Sequence, residues 1–157
     1  MRYPTLELGA GSYRDPDIDY YNDIKDLPGL HYHCDARELP VEDSTFSIVT
    51  SNQLIEHLDE EQQGEFLREC HRVLVAGGLL FTWTPDRGWM DKSLARYEMT
   101  QEWYDTLLAG AGSEEEDKHR RVLKQGELVK MLGEAGFWVR SIGEVGGSIE
   151  CIAVKNG

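Results

Sequence analysis

Short apolar or β-branched runs alternate with helical and loop segments along the chain. Runs of this length, bounded by turn residues, are typical of strands. Strands that alternate with helices predict an α/β fold built on a mostly parallel sheet. The predicted strands are residues 5–9, 19–23, 30–34, 46–51, 79–84, 137–142 and 148–155.

The strongest helix signal lies at about 59–75. Asp59 suits its N-cap, and Gln62 stands where it completes a capping box. We expect Gly77-Gly78 to stop this helix, and we predict further helices at about 100–109 and 125–135. The apolar residues that repeat on one face of the first helix, and should be buried, are Phe66, Leu67, Cys70, Val73 and Leu74.

The two ends of the predicted sheet depart from a regular parallel arrangement. The last two strands are joined by GEVGG, which is too short for a parallel crossover, so they should form an antiparallel hairpin. Near the start, the connection between the first and second predicted strands has only about eight residues after Gly11, and the connection from the second to the third has about six after Ile24. A parallel crossover takes a dozen or more. We therefore expect a mostly parallel seven-stranded sheet with shortened first crossovers and an antiparallel hairpin at its end.

Composition narrows the class of protein. A chain of 157 residues with 40% hydrophobic residues suits one domain, and we treat 1–157 as that domain. Its apolar runs are too short for a membrane span, and the opening MRYP does not resemble a leader, so we expect a cytoplasmic protein with no membrane partner. The formal net charge of −13 disfavours nucleic acid as a substrate because it repels phosphate.

Two further features have structural interpretations. Cys34, Cys70 and Cys151 are far apart and lack the spacing of disulfide or zinc ligands, so they should be buried free thiols, and we assign no metal site. The acidic run SEEED at 113–117 is interpreted as a solvated segment.

The first predicted strand ends in Glu7-Leu8-Gly9-Ala10-Gly11. Glycines at the carboxyl end of a strand let the backbone turn tightly and approach a ligand. A dinucleotide site would need a third glycine where Arg14 stands, and the lysine of a phosphate-binding loop is absent. Because Glu7 would repel phosphate, a cationic ligand fits better.

These residues resemble the first motif, (E/D)-x-G-x-G, of class I S-adenosylmethionine-dependent methyltransferases. Further segments follow in the order of that family: YYNDI, HYHCDARELPVEDSTFSIV, FSIVTSNQLIEHL, LRECHRVLVAGGLLFTWTPD and LGEAGF. The resemblance covers residues 5–155 except about 86–118, and it is to compact, type 11-like members with a shortened first half. It implies a Rossmann-like methyltransferase fold that uses S-adenosyl-L-methionine and releases S-adenosyl-L-homocysteine.

The resemblance also implies roles for individual residues. Asp23 matches the acid that binds the ribose hydroxyls, and Asp35 the position near the adenine amino group. Glu7 is expected to contact the cofactor directly or to bond loop amides. The full set of implied cofactor-binding residues is Glu7, Gly9, Ala10, Gly11, Tyr13, Asp23, Ile24, Asp35, Ala36, Arg37, Asn52 and Gln53.

Methyl transfer is an in-line displacement that requires alignment of acceptor, methyl and sulfur. A base assists when the acceptor is a hydroxyl or an amine, and His57 and His119 are the candidates. Either histidine could instead have a purely structural role, with its side chain hydrogen-bonded to the backbone. The acceptor stays open among small molecules, sugars and lipid-linked precursors. Residues 86–124 form a variable segment that should act as lid, unless a second subunit of a homodimer closes the site.

Two other functions fit parts of the sequence. The compressed first half suits an S-adenosylmethionine-binding or protein-interaction module without catalysis. A nicotinamide-dependent oxidoreductase is disfavoured because Arg14 occupies the third glycine position.

Overall fold

A computed structural model describes residues 3–157 as one seven-stranded sheet in the order β3-β2-β1-β4-β5-β7-β6. The first five strands run parallel, and β7 is antiparallel to both β5 and β6. The predicted fold class is confirmed. The strands are β1 Thr5–Leu8, β2 Tyr20–Asp23, β3 Tyr32–His33, β4 Phe46–Asn52, β5 Leu74–Pro85, β6 Phe137–Val145 and β7 Ser148–Lys155. The helices are α1 Glu60–Val73, α2 Arg87–Ala95, α3 Gln101–Ala109 and α4 Gln125–Glu134, with 3₁₀ turns at Ile55–His57 and Glu115–Asp117.

Helix α1 begins as predicted and ends earlier than predicted. Asp59 accepts a hydrogen bond from the amide of Gln62 at 3.0 Å, and the Gln62 side chain accepts one from the Asp59 amide at 3.1 Å. The helix stops at Val73 because strand pairing starts at once, with Leu74 opposite Phe46. Gly77-Gly78 therefore lie inside β5, where they occupy a register shift rather than a helix stop.

Loops replace the first crossovers. Within residues 3–157 no helix separates β1 from β2 or β2 from β3, in line with the predicted shortened crossovers, and none separates β3 from β4. Arg14 holds two of these loops together, because its guanidinium donates to the carbonyl of Gly11 at 2.6 Å and to that of Pro28 at 2.7 Å. Arg14, which occupies the third glycine position of a dinucleotide-binding loop, thus stabilises the first two loops of the fold.

The core lies on one face of the sheet, beneath α1 and α4. Leu6, Val49 and Leu80 from adjacent strands meet Phe66 and Leu128 from the helices, and all five are fully buried. The opposite side, which we call the open face, is only partly covered. Its apolar side chains are all at least partly exposed, and none of them packs into a hydrophobic cluster of the described residues. Its two tryptophans are about half exposed. The open face comprises Ile48, Leu79, Phe81, Trp83, Trp138 and Ile152.

The variable segment carries a small core of its own. Met90, Met99, Tyr104 and Val122 are buried together between α2, α3 and the chain that leads to α4. Helix α3 matches its prediction, whereas α2 was not predicted. All three cysteines are free, but Cys34 is only partly buried, contrary to expectation. No helix within the described residues is long and apolar enough to cross a bilayer.

Candidate functional site

The glycine loop after β1 is bonded to the end of β2. Gly9 and Gly11 both have positive φ, 66° and 60°, and a side chain at Gly9 would crowd Leu54 at 3.1 Å. The Asp23 carboxylate accepts the amide of Gly11 at 2.9 Å and that of Lys25 at 2.9 Å. These two bonds fix the carboxylate beside the loop. Carboxylate oxygens have further lone pairs, so Asp23 can still accept hydrogen bonds from a ligand.

A second carboxylate stands just beyond β3. Asp35 accepts hydrogen bonds from the Arg37 guanidinium, the shortest at 2.8 Å, and Arg37 also reaches Glu65 on α1 at 2.6 Å. The hydrogen bonds from Arg37 keep the pKa of Asp35 below its usual value, so this group is charged at neutral pH. Ala36 lies between them and lines the adjoining cavity.

A cavity of about 580 Å³ opens where β1, β2, β3 and β4 end, which is a volume typical of small-molecule sites. Ligands of open α/β sheets bind outside the carboxyl ends of the strands, as here. Leu27, Leu54 and Leu58 supply apolar surface. Most predicted site residues converge on this cavity: Gly9, Gly11, Asp23, Ile24, Asp35, Ala36, Arg37, Gln53 and His57.

The acidic run forms part of the cavity rim. Glu115, Glu116 and Asp117 line the cavity, and Asp117 pairs with Lys25 at 2.8 Å across it. Sequence reasoning interpreted this run only as solvated and missed its position. The charges of this run did not indicate its place at the cavity, because that place depends on the pairing of Asp117 with Lys25, 92 positions away in the chain.

Other predicted residues lie outside this cavity. Glu7 and Asn52 line a second cavity of about 260 Å³ next to the open face. Ala10 is buried and donates its amide to the carbonyl of Asn22, whereas Tyr13 is 71% exposed. One carboxylate oxygen of Glu7 is buried without a hydrogen-bond partner among residues 3–157. Burial raises the pKa of Glu7, and repulsion from the Asp15 carboxylate raises it further.

The two candidate bases are neighbours. The imidazole rings of His57 and His119 meet edge to face, with centroids 5.0 Å apart. The backbone carbonyl of Glu56 accepts the amides of Arg120 and Arg121 at 2.8 Å and 3.1 Å, which holds the two segments together. Burial lowers the pKa of His119, so its ring is uncharged at neutral pH. His57 lines the cavity, and His119, in contact with His57, does not.

Sequence reasoning missed Glu56, the residue between these histidines and the core. Its side chain is fully buried, and Oε2 accepts a hydrogen bond from the Thr84 hydroxyl at 3.0 Å. Its Oε1 is buried without a hydrogen-bond partner among the described residues, 3.9 Å from Nε2 of His57. Burial raises the pKa of Glu56 to about 7. The only available signal was a glutamate inside the apolar stretch LIEHL.

The strand order, the terminal antiparallel hairpin and a cavity at the strand ends define a class I methyltransferase fold. Solved structures agree. A 1,6-didemethyltoxoflavin-N1-methyltransferase from Burkholderia thailandensis, solved with 1,6-didemethyltoxoflavin and S-adenosylhomocysteine, superposes with a TM-score of 0.69 at 16% identity, covering 99% of this chain and 72% of that one. A methyltransferase from Methanosarcina mazei gives a TM-score of 0.68 at 19% identity, covering 99% and 94%.

Sequence comparison points to the same family. Residues 18–82 match the family described as "Methyltransferase domain". A probable S-adenosylmethionine-dependent methyltransferase from Mycolicibacterium smegmatis is 33% identical over 107 residues, 68% of this chain and 34% of that protein. One from Mycobacterium tuberculosis is 35% identical over 100 residues, 64% and 30%. The chain thus spans about a third of the length of these curated relatives. The fold is that of class I methyltransferases, and in sequence the chain is similar to probable S-adenosylmethionine-dependent methyltransferases.

Proposed function

We propose that this protein transfers a methyl group from S-adenosylmethionine to a small-molecule, sugar or lipid-linked acceptor. An acceptor lone pair forms a bond to the methyl carbon, the carbon–sulfur bond breaks with its electrons going to sulfur, and S-adenosylhomocysteine leaves. The acceptor's proton, where it has one, is lost to a base. The observation that carries this proposal is the Asp23 carboxylate, fixed by the Gly11 amide at the mouth of the cavity.

The cavity residues suit the parts of this cofactor. Asp23 can accept hydrogen bonds from the two ribose hydroxyls, because its bonded oxygens keep free lone pairs. The apolar side chains of Ile24, Leu27 and Leu58 offer surface for a purine ring, beside Asp35 and its partner arginine. The Gly11 turn, where an added Cβ would meet no atom within 4 Å, leaves room for the amino-acid portion of the cofactor, whose ammonium and sulfonium charges are attracted by nearby carboxylates.

The acceptor end is assigned to the carboxyl end of β4. Gln53 and His57 line the large cavity there, and Asn52 lines the second cavity with Glu7. We propose that Asn52 and Gln53 contact the cofactor or the acceptor, and that His57 and His119 serve the acceptor's proton. Nucleic acid is a poor acceptor for a chain of net charge −13. Ala10 and Tyr13 are proposed to act through the loop backbone, since neither lines the large cavity or the second cavity.

Cytoplasmic location and a homodimer stay predictions. The three unpaired cysteines support a reducing compartment. The open face offers a surface that a second copy could cover, and light scattering on the purified chain would measure the molar mass. A monomer at high concentration would exclude the dimer.

Calorimetric titration with S-adenosylhomocysteine tests the cofactor assignment. We expect saturable binding by the native chain and a loss of about 10–150-fold in affinity for Asp23→Ala, since hydrogen bonds to a charged acceptor contribute about 1.5–3 kcal/mol. Asp26→Ala is the matched control, because this exposed residue does not line the cavity. Equal affinities for the two variants would remove Asp23 from the ribose site. Absence of binding by the native chain would reject the cofactor.

A second candidate function is cofactor binding without methyl transfer, as part of an interaction module. The open face favours it, because apolar sheet surface of this kind is common at protein contacts. Transfer of a labelled methyl group from the cofactor to any fraction of a cell lysate would exclude this alternative. Cofactor binding without transfer to any fraction would favour it.

A further inference from the structure

Three side chains with metal-binding atoms meet at the end of β4. Glu56, His57 and His119 each offer one ligand atom, and these atoms all lie within 4.8 Å of one another. We propose that they hold a divalent transition-metal cation, for which Zn²⁺ is the best match. A carboxylate and two imidazoles form a donor set that Zn²⁺ uses in catalytic sites, where three protein ligands leave one position open.

Both histidines are already oriented as ligands. Nδ1 of His57 lies 3.1 Å from the carbonyl oxygen of Lys118, and Nδ1 of His119 lies 2.7 Å from that of Leu107. A carbonyl oxygen only accepts, so each Nδ1 must carry the hydrogen. In the neutral ring this leaves the lone pair on Nε2, the atom that would bind the cation. Metal-binding histidines usually donate their other nitrogen in this way.

Glu56 supplies an independent observation. Its side chain is fully buried, yet Oε1 has no hydrogen-bond partner within residues 3–157. A buried carboxylate oxygen without a partner is costly, and buried charges are normally paired or bound to a metal. The Thr84 hydroxyl holds Oε2 at 3.0 Å and so directs Oε1 toward His57, 3.9 Å away. A cation between Oε1 and the imidazoles would satisfy this oxygen.

The distances allow a cation without refolding. Ligand atoms at roughly 2.1 Å from a tetrahedral Zn²⁺ lie roughly 3.4 Å apart, so the widest pair here must close by roughly 1 Å or a little more. Side-chain rotation of His57, which is partly exposed, can supply that movement. Nearby acids at 115–117 add negative potential on the cavity side.

The open position would face the proposed acceptor, since His57 lines the cavity. This part of the inference rests on the proposed function. A hydroxyl of the acceptor bound there would lose its proton to solvent water at a lower pH, because a bound cation stabilises the alkoxide. With the cation bound, His57 and His119 would promote this proton loss as ligands, and the direct acceptance of the proton proposed above would apply only to the cation-free chain.

Titration of the full chain with Zn²⁺, after dialysis against a chelator, tests the site without an activity assay. We expect one Zn²⁺ per chain, and visible absorption bands of low coordination number when Co²⁺ replaces it. Loss of a ligand in His119→Ala or Glu56→Gln should lower Zn²⁺ affinity by more than about 100-fold, and loss of the supporting hydroxyl in Thr84→Val by about 10–100-fold. His33→Ala, at an exposed histidine on β3, is the matched control and should bind as the native chain does.

The outcomes separate this site from the cofactor site. Zn²⁺ affinity that is undetectable, or unchanged in Glu56→Gln and Thr84→Val, would overturn the cation site, whatever S-adenosylhomocysteine does. Zn²⁺ binding with the expected losses, in a chain that does not bind S-adenosylhomocysteine, would sustain the cation site and reject the methyltransferase assignment. Far-UV circular dichroism checks that each variant is folded, whether or not the chain binds S-adenosylhomocysteine.

Discussion

Gly110 ends helix α3 in a conformation that only glycine adopts easily, and it packs against His119. Its φ and ψ are 80° and 150°. A Cβ added there would lie 2.6 Å from the carbonyl oxygen of Asp117 and 2.9 Å from the amide nitrogen of His119, closer than real Cβ contacts. Gly110→Ala must therefore displace the chain that carries His119.

The magnitude follows from the contacts at stake. A non-glycine residue in this region of backbone space costs about 1–3 kcal/mol. Relief by movement would break the bonds from His119 to the carbonyls of Ala109, at 3.0 Å, and Leu107, at 2.7 Å, each of which contributes about 0.5–1.5 kcal/mol. Alanine restricts the unfolded chain and returns about 0.4–1 kcal/mol. We expect a net loss of about 2 kcal/mol.

Urea unfolding measures this loss, and Gly133→Ala is the matched control. Gly133 lies in α4, and a Cβ there meets no atom within 4 Å, so alanine should stabilise the chain by about 0.5–1 kcal/mol. The His119 ring resonances should shift in Gly110→Ala and stay in place in Gly133→Ala. If Gly110→Ala unfolds at the native urea concentration and leaves His119 unchanged, the positioning of this histidine by α3 is refuted.

Three further outcomes are expected. Tyr104→Phe should destabilise the chain by about 1 kcal/mol in urea unfolding, since its hydroxyl donates to Asp91 at 2.7 Å and Asp91 is partly exposed. Burial raises the pKa of Asp91, but hydrogen bonds from Tyr104, Lys124 and Arg87 outweigh it and hold that pKa at about 2. The free energy of unfolding that these bonds contribute should be complete above pH 3.8, the ordinary pKa, and should fall as the pH drops toward 2. The fall should be less steep in Tyr104→Phe than in the native chain, and equal slopes in the two proteins would contradict this. Amide hydrogen exchange should be faster at 110–118 than in β4, because no side chain at 110–118 is buried in either hydrophobic cluster.

Features with local causes could be predicted from the sequence. The start of α1 follows from Asp59 and Gln62, three residues apart, and its buried face follows from the spacing of apolar residues. The end of α1 was predicted wrongly because the pairing of Leu74 with Phe46, a distant residue, overrides the glycine signal. Helix α2 escaped prediction because only Met90 and Ser93 on it are buried, too few for an apolar face.

The candidate site divides in the same way. The place of Gly9 and Gly11 beside the cavity could be predicted because a strand end and a glycine turn are adjacent in the chain, whereas that of Asp23 came from the resemblance to class I methyltransferases. The rim at 115–117 and the burial of Glu56 could not, since each depends on a partner from another element, Lys25 in one case and Thr84 in the other. The assignment of Glu7 to the cofactor likewise depends on which side of the sheet it faces.

The open face has a consequence for the colloidal behaviour of the protein. Indole rings at Trp83 and Trp138 are 43% and 51% exposed, which favours adhesion between copies. Acids outnumber bases by 29 to 16, which makes the copies repel one another at neutral pH. This long-range repulsion weakens in salt, since charges separated by more than about 8 Å are screened at physiological ionic strength, and it vanishes near the isoelectric point of about 4.7. Ionic strength and pH should therefore set whether these sheets meet in solution.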